Sequence, residues 1–240
     1  MRNPFEQFEV NILQKLVIGD LDLSVTNFTI YLFLSAGFIL VFYKAALAQN
    51  TLVPNNFQII SETLYNFILG LIVEQTGPKG LRFFPVLFTL FNLILFANLL
   101  GITPYGYTIT AQIVLTLLFS LSFFITWILI GVMTLKVQFL RLFLPRGIPG
   151  WLVPLLVVIE FLSFIIRPLS LSIRLFANML AGHILLYIIG SATLALGIFG
   201  FLPFIFILAF LILELGIAFL QAYVFTILLS IYLADSYHSH

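Results

Sequence analysis

The chain has 240 residues, of which 62% are hydrophobic and only 8% are charged, and its formal net charge is +1. Soluble domains carry roughly 45–50% apolar and about 25% charged residues, so a soluble globular enzyme is excluded. The near-zero net charge provides no basic surface for nucleic acid, and the absence of cysteine excludes disulfides and zinc–cysteine sites. The composition therefore predicts a membrane protein.

The N-terminal segment is acidic. It contains Glu6 and Glu9 and has no uninterrupted apolar run before a small-residue cleavage site. We therefore expect neither a cleavable signal peptide nor a transit peptide.

Three segments satisfy the requirement of about 20 mostly apolar residues for a membrane-spanning helix, namely 24–43, 83–102 and 108–134. Segment 56–76 is different because Glu62, Asn66 and Glu74 alternate with apolar residues. That pattern predicts an amphipathic helix on the membrane surface. Asn92 and Asn98 of the second span are interpreted as interhelical hydrogen-bond donors and acceptors.

The remaining sequence predicts two helices that are too long to stand upright in a bilayer. As one helix, segment 151–189 would be about 58 Å long, roughly twice the hydrocarbon thickness, and segment 203–234 follows it. Pro168 predicts a kink in the first of them. The connection is marked by Gly190, Gly197, Gly200 and Pro203.

These elements predict an all-α polytopic membrane protein with a single integral membrane domain over residues 1–240. Three spans and a surface amphipathic helix precede a long, strongly tilted C-terminal helical hairpin. If the three spans alternate, six basic loop residues fall on one side of the membrane and only Arg2 and Lys15 on the other, which places the N-terminus outside and the C-terminus inside. The six residues are Lys44, Lys79, Arg82, Lys136, Arg141 and Arg146.

Ionisable groups at membrane depth are costly and mark functional sites. In the first long helix Glu160, Arg167 and Arg174 are spaced by seven residues, so they share one face. Ser163, Ser170 and Asn178 fall near the same line, and in the second long helix Glu214 and Gln221 share a face. The alternatives to a functional site are purely structural. Glu160 and Arg167 could form an ion pair that joins helices, and the serine hydroxyls could bond to their own backbone.

Arg174 is the residue that these alternatives do not explain. Arginine keeps its charge in proteins, and no acid lies within seven residues of Arg174 in the sequence. We therefore expect an acidic partner from the second long helix or from another subunit.

His183 lies on the opposite side of the helix from Arg174 and could face Glu214 across the hairpin. Groups that gain and lose protons near neutrality are what a proton path requires. A hydrogen-bonded core histidine is the alternative.

The segment from Ser170 to His183, Ser-Leu-Ser-Ile-Arg-Leu-Phe-Ala-Asn-Met-Leu-Ala-Gly-His, closely resembles subunit a of the F-type ATP synthase membrane sector. Residues 3–9, 84–104 and 214–223 resemble the same family, so the likeness covers nearly the whole chain. It implies a stator protein beside a rotating ring of c subunits, with two offset half-channels for protons.

The resemblance also implies roles for individual residues. Arg174 matches the arginine that faces the acidic residue of the ring. Glu214 and His183 match the polar pair of the half-channel through which protons enter. Glu160, Asn178 and Gln221 match further positions on the proton route, with Arg167 and Ser170 as secondary residues.

The function implied is proton translocation that drives rotation of the c-ring and hence ATP synthesis. In this mechanism Arg174 favours deprotonation of the ring carboxylate and blocks direct passage between the half-channels. The chain itself is expected to be a non-catalytic subunit with no ATP site, no metal and no cofactor. Its partners would be the c-ring, the peripheral stalk, other Fo subunits and lipid.

The His183/Glu214 order is similar to that of mitochondrial members. It therefore implies the mitochondrial inner membrane, with the N-terminus in the intermembrane space and the C-terminus in the matrix, and the bacterial plasma membrane is the alternative. Two other functions remain open, a self-contained ion-coupled transporter and a structural subunit of a respiratory complex. The transporter would usually carry inverted repeats, and none is visible.

Overall fold

A computed structural model describes residues 6–15, 17–18, 21–22, 24–48, 54–103, 106–136 and 152–237. The first residues of the N-terminal motif, the loop residues Arg141 and Arg146, and the first residue of segment 151–189 lie outside the described residues. Within them the chain is almost entirely helical, which supports the predicted all-α membrane protein.

The N-terminal segment forms a short 3-10 helix (Glu6–Phe8) and two small antiparallel ribbons, which the sequence pattern did not predict. Strand β1 (Ile12–Gln14) pairs with β4 (Val25–Thr26), and β2 (Val17–Ile18) pairs with β3 (Leu21–Asp22). The strands have only two or three residues each, too few for an alternating pattern to stand out in the sequence.

Six helices in the described part of the chain are long and apolar enough to cross a membrane. They are α1 (Asn27–Leu47), α2 (Asn56–Thr76), α3 (Phe84–Ile102), α4 (Ile113–Leu135), α5 (Val153–Leu196) and α6 (Phe201–Tyr237). Shorter 3-10 segments at Gly77–Phe83, Ile109–Ala111 and Gly197–Gly200 connect several of them.

The prediction for segment 56–76, which forms helix α2, requires a correction. The apolar segments predict three spans, and the polar pattern of segment 56–76 predicts a position on the membrane surface, but the structure does not support three spans. Ile68 and Ile72 are fully buried in the main core, together with Phe91 of α3 and Phe225 of α6. The polar residues of α2 suggested a surface position because sequence periodicity does not report which neighbours cover the apolar side.

The two long helices end beyond the predicted segments 151–189 and 203–234. Helix α5 has 44 residues and α6 has 37, which correspond to about 66 Å and about 56 Å. Gly190 and Pro203 therefore lie inside helices and not in the connection. Pro203 is accommodated because it lies in the first turn of α6, where a backbone N–H has no helical partner. Pro168 does not end α5, which continues through it.

The connection between α5 and α6 depends on two glycines. Gly197 has a φ of +54°, in the left-handed region that other residues rarely adopt. A Cβ atom on Gly200 would lie 2.5 Å from the carbonyl oxygen of Thr193. This tight turn makes α5 and α6 antiparallel neighbours.

Helix α6 packs against α2, α3, α4 and α5 and so forms the centre of the bundle. Two asparagines of α3 link helices by hydrogen bonds, as predicted. Asn92 accepts a bond from the Tyr43 hydroxyl at 2.8 Å, and Asn98 donates to the carbonyl of Ala218 at 3.4 Å. The first bond joins α3 to α1, and the second, together with the apolar contacts, fixes α3 and α6 side by side.

The packing of α2 predicts a difference between two isoleucines of this helix. Ile72→Ala should destabilise the protein by about 2–5 kcal/mol because it leaves a cavity among α2, α3 and α6. Ile59→Ala should change stability by less than about 0.5 kcal/mol, because Ile59 is exposed. Thermal unfolding of the two purified variants in the same detergent would measure this, and equal losses would contradict the assigned packing of α2.

Candidate functional site

The polar residues of α5 form two groups, one on either side of Arg174. Arg174 lies near the middle of α5, far from both helix ends. Glu160 and Arg167 precede it, and His183 follows it on another side of the helix. The helix thus separates the two groups along its length, with Arg174 between them.

Arg174 is exposed on the wall of a lateral groove with a volume of about 530 Å³. The groove runs between α5 and α6, and its polar lining comes mainly from α5. The polar residues that line it are Ser163, Arg167, Ser170, Arg174 and Tyr232. Apart from them the wall is aliphatic, so the groove presents a fixed positive charge within an apolar surface.

Within the described ranges, Arg174 makes no ion pair. The described carboxylates that pair with a basic group are Glu160, Glu214 and Asp235, and they pair with other residues. The positive charge of Arg174 is therefore not matched by a carboxylate from the part of the chain that the structure describes.

Arg167 lies at the centre of the first polar group. Its guanidinium is 3.5 Å from the Glu160 carboxylate and 3.7 Å from that of Asp235, and it stacks 5.4 Å from the ring centroid of Tyr232. The ion pair between Glu160 and Arg167 considered in the sequence analysis is thus present. Asp235 and Tyr232 extend it to α6.

Asp235 is a member of this group that the sequence analysis missed. It lies one residue beyond the predicted end of the second long helix at 234, and an acid at a helix end is ordinarily solvated. The only sequence signal was its position on α6, because its contact with Arg167 joins residues far apart in the chain.

The second polar group is the pair of His183 and Glu214. Nδ1 of His183 lies 3.7 Å from Oε1 of Glu214, as expected for residues equally distant from the hairpin turn. Nε2 of His183 lies 2.6 Å from the hydroxyl of Thr108, a residue that the sequence analysis did not single out. The imidazole therefore lies between a hydroxyl to which it is hydrogen-bonded and a carboxylate just beyond hydrogen-bond distance.

Glu214 is only 3% exposed, and neither carboxylate oxygen has a hydrogen-bond partner within the described part of the chain. A buried carboxylate without hydrogen bonds is costly when it is ionised. Such a group needs either a proton of its own or a nearby positive charge, and His183 is the described basic group beside it. The charge state of Glu214 therefore depends on a proton of its own or on the adjacent imidazole.

Residues from the N-terminal half of the chain, Phe8 and Gln112, pack beside the His183–Glu214 pair. The ring of Phe8 contacts that of His183 edge to face, with centroids 6.3 Å apart. Gln112 donates a hydrogen bond to the carbonyl of Phe8 and another to the hydroxyl of Tyr107, each at 2.7 Å. The N-terminal segment is thereby held against the histidine.

Asn178 and Gln221 lie between the two groups, and Ser170 lines the groove. Asn178 is half-buried on α5, and Gln221 is buried on α6. The structure places neither amide in a hydrogen bond with Arg174, His183 or Glu214 among the described residues. Ser163 and Ser170 are exposed on the groove wall.

Gly182 makes room for the Glu214 carboxylate. A Cβ atom on Gly182 would lie 2.8 Å from Oε1 and 3.2 Å from Cδ of Glu214. Only a residue without a side chain fits here unless the glutamate moves. The glycine next to His183 therefore positions the other member of the pair.

This contact predicts the effect of adding one methyl group. Gly182→Ala should destabilise the protein by about 1–3 kcal/mol because the glutamate must move. Gly190→Ala on the same helix is the matched control, because a Cβ there meets nothing within 4 Å, and it should be neutral or stabilising by up to about 1 kcal/mol. Thermal unfolding would compare them, and equal stability of both variants would show that the space at Gly182 is not needed.

Comparison with known proteins identifies the family. Residues 28–234 match the family described as ATP synthase A chain. The protein named ATP synthase subunit a from Dictyostelium discoideum is 43% identical to this chain, over all of both chains. The protein of the same name from Acanthamoeba castellanii is 45% identical, over 99% of this chain and 98% of the relative. A bacterial protein of the same name, from Ehrlichia chaffeensis, is 40% identical over 99% of each chain. The chain described here belongs to the ATP synthase A chain family.

Proposed function

We propose that this chain conducts protons through two offset half-channels and couples that flow to rotation of the c-ring, with Arg174 between the half-channels. Membership of the family supports the coarser role of a proton-translocating stator subunit in the Fo membrane sector. The single observation that carries the finer proposal is the position of Arg174. It lies mid-helix and exposed in an apolar groove, it has no ion pair among the described residues, and a polar group lies on either side.

Arg174 acts as a fixed positive charge toward an acidic residue of the ring. A ring carboxylate that carries a proton is neutral and can move through lipid. When it reaches Arg174, the guanidinium favours the ionised form, so the proton leaves. The same charge repels a proton that would pass directly from one half-channel to the other.

Glu214 and His183 form the proton-accepting end of one half-channel, the one through which protons enter. Glu214 is buried and its oxygens make no hydrogen bond among the described residues, so its carboxylate is available to a proton. Asn178 and Gln221 line the path from this pair toward Arg174. Their amides can hydrogen-bond to water but do not titrate.

Glu160 serves the other half-channel, together with Arg167, Asp235 and Ser170. Along α5, Glu160 lies about 21 Å to one side of Arg174, and His183 lies about 14 Å to the other side. The Glu160 carboxylate and the His183–Glu214 pair lie in opposite directions from Arg174. A proton that passed directly from one to the other would therefore have to pass the guanidinium. This separation is the physical meaning of offset half-channels.

The driving force is the transmembrane potential. Each proton that crosses 100 mV releases about 2.3 kcal/mol, which the c-ring converts into rotation and the complete enzyme into ATP synthesis. The chain acts in this scheme as a non-catalytic stator subunit.

The architecture and location follow from the same proposal. The 1–240 chain forms a single integral membrane domain, and its long α5–α6 hairpin tilts strongly because helices of about 66 Å and about 56 Å exceed the bilayer thickness. The partners are the c-ring, the peripheral stalk and other Fo subunits. We place the chain in the mitochondrial inner membrane, with the N-terminus in the intermembrane space and the C-terminus in the matrix, although relatives occur in both eukaryotes and bacteria.

The role of Arg174 predicts the outcome of its replacement. In vesicles that contain the complete ATP synthase, Arg174→Gln should lower proton-driven ATP synthesis at least about 100-fold, because opposite charges about 4 Å apart attract by about 4 kcal/mol near a protein surface. Arg82→Gln is the matched control, since Arg82 is an exposed arginine outside the hairpin, and it should leave synthesis unchanged. Persistent synthesis in Arg174→Gln at normal complex content would reject the role.

The proposed role of Glu214 predicts that its replacement impairs proton uptake. Glu214→Gln removes the proton-accepting group and should slow passive proton flow through the Fo sector at least about tenfold. Glu62→Gln should have no effect, because Glu62 is exposed on α2 and bonds to Gln58. Normal proton flow in Glu214→Gln would contradict this role, and a loss explained entirely by poor assembly would show a structural role instead.

A further inference from the structure

The connection between α3 and α4 folds back against the His183 pair. Residues 107–111 are buried, and Thr108 is only 2% exposed. Thr108 also packs against Gly101, where an added Cβ would lie 2.8 Å from its side chain. A hydroxyl is thereby held in a fixed place beside the hairpin.

Thr108, His183 and Glu214 form a continuous row of three groups. The Thr108 hydroxyl is 2.6 Å from Nε2 of the imidazole, and Nδ1 on the other side of the ring is 3.7 Å from Oε1 of Glu214. Each nitrogen of the ring thus has its own neighbour. Thr108 is 75 residues away from His183 in the sequence.

A threonine hydroxyl both donates and accepts hydrogen bonds, and a neutral imidazole has one nitrogen of each kind. When the hydroxyl donates to Nε2, the ring proton is on Nδ1 and faces Glu214. When Nε2 carries the proton and donates to the hydroxyl, Nδ1 is bare and can accept a proton from a protonated Glu214. Rotation of one hydroxyl therefore supports either tautomer of His183.

We propose that Thr108 is a positioning residue that holds His183 between these two states and so permits proton exchange with Glu214. This inference rests on the proposed function of the pair. It assigns to the α3–α4 connection a direct part in the half-channel through which protons enter.

The other bonds of the connection show that the Thr108 hydroxyl is not what holds it in place. Thr110, on the same turn, donates to the side chain of Asn98 at 2.6 Å. Gln112 bonds to Tyr107 and to the carbonyl of Phe8. Loss of the Thr108 hydroxyl should therefore leave the fold of this segment intact and change only the surroundings of His183.

The test compares three variants in vesicles that contain the complete ATP synthase, with passive proton flow and ATP synthesis normalised to the amount of assembled complex. Thr108→Val keeps the shape and removes the hydroxyl, and proton flow should fall roughly five- to tenfold, the value of one hydrogen bond. Thr108→Ser keeps the hydroxyl and should stay within about twofold of the unmodified enzyme. Thr110→Val removes a buried hydroxyl from the same turn but leaves the Thr108–His183 contact and both Gln112 bonds in place, so it should also stay within about twofold.

Three outcomes would overturn the inference. Normal proton flow in Thr108→Val would mean that the hydroxyl is not used. An equal fall in Thr108→Ser would mean that side-chain shape matters and the hydroxyl does not. An equal fall in Thr110→Val would assign the effect to packing of the turn. A failure of the proposed function itself would appear separately, as normal flow in Glu214→Gln in the same vesicles.

Discussion

The guanidinium of Arg174 carries a permanent charge on a long and otherwise apolar helix. Arginine cannot relieve the cost of burial by losing its proton, and the described part of the chain gives it no carboxylate partner. The acids described on α5 and α6 are each paired with another group, Glu160 and Asp235 with Arg167, and Glu214 with His183. The guanidinium charge is therefore stable at membrane depth only if it contacts water in the groove or an acid from another polypeptide.

The arrangement of α5 and α6 follows from this constraint. A tight turn with Gly197 and Gly200 makes the two helices antiparallel, so that acids on α6 face basic groups on α5 at both ends. Helix α6 is in turn fixed by α2, α3 and α4. The result is a packed pair of helices on which two clusters of titratable residues are held apart, with Arg174 between them. We propose that this separation converts a proton gradient into directed movement of the ring.

The main features of the site could be predicted from the sequence because they are local or periodic. The seven-residue spacing placed Glu160, Arg167 and Arg174 on one face of a helix. The glycine-marked turn brought His183 opposite Glu214. The long apolar segments predicted that the hairpin is too long to stand upright. Each of these depends only on helix geometry and on the position of one turn.

The features that were missed depend on contacts between distant parts of the chain. Thr108 and Phe8 reach His183 from other elements, and Asp235 reaches Arg167 from the end of α6. The apolar side of α2 is buried by α3 and α6, which periodicity alone does not reveal. The short N-terminal ribbons have too few residues for a recognisable pattern. In each case the residue type is ordinary, and only its neighbours in three dimensions give it a role.

The most direct test is a structure of the assembled membrane sector that contains this chain, in which the groups around Arg174 are identified. We expect a carboxylate from a different polypeptide within about 4–6 Å of the guanidinium, while Glu160 and Asp235 remain with Arg167 and Glu214 remains with His183. An Arg174 paired to an acid of its own chain, with no foreign carboxylate near it, would contradict the account.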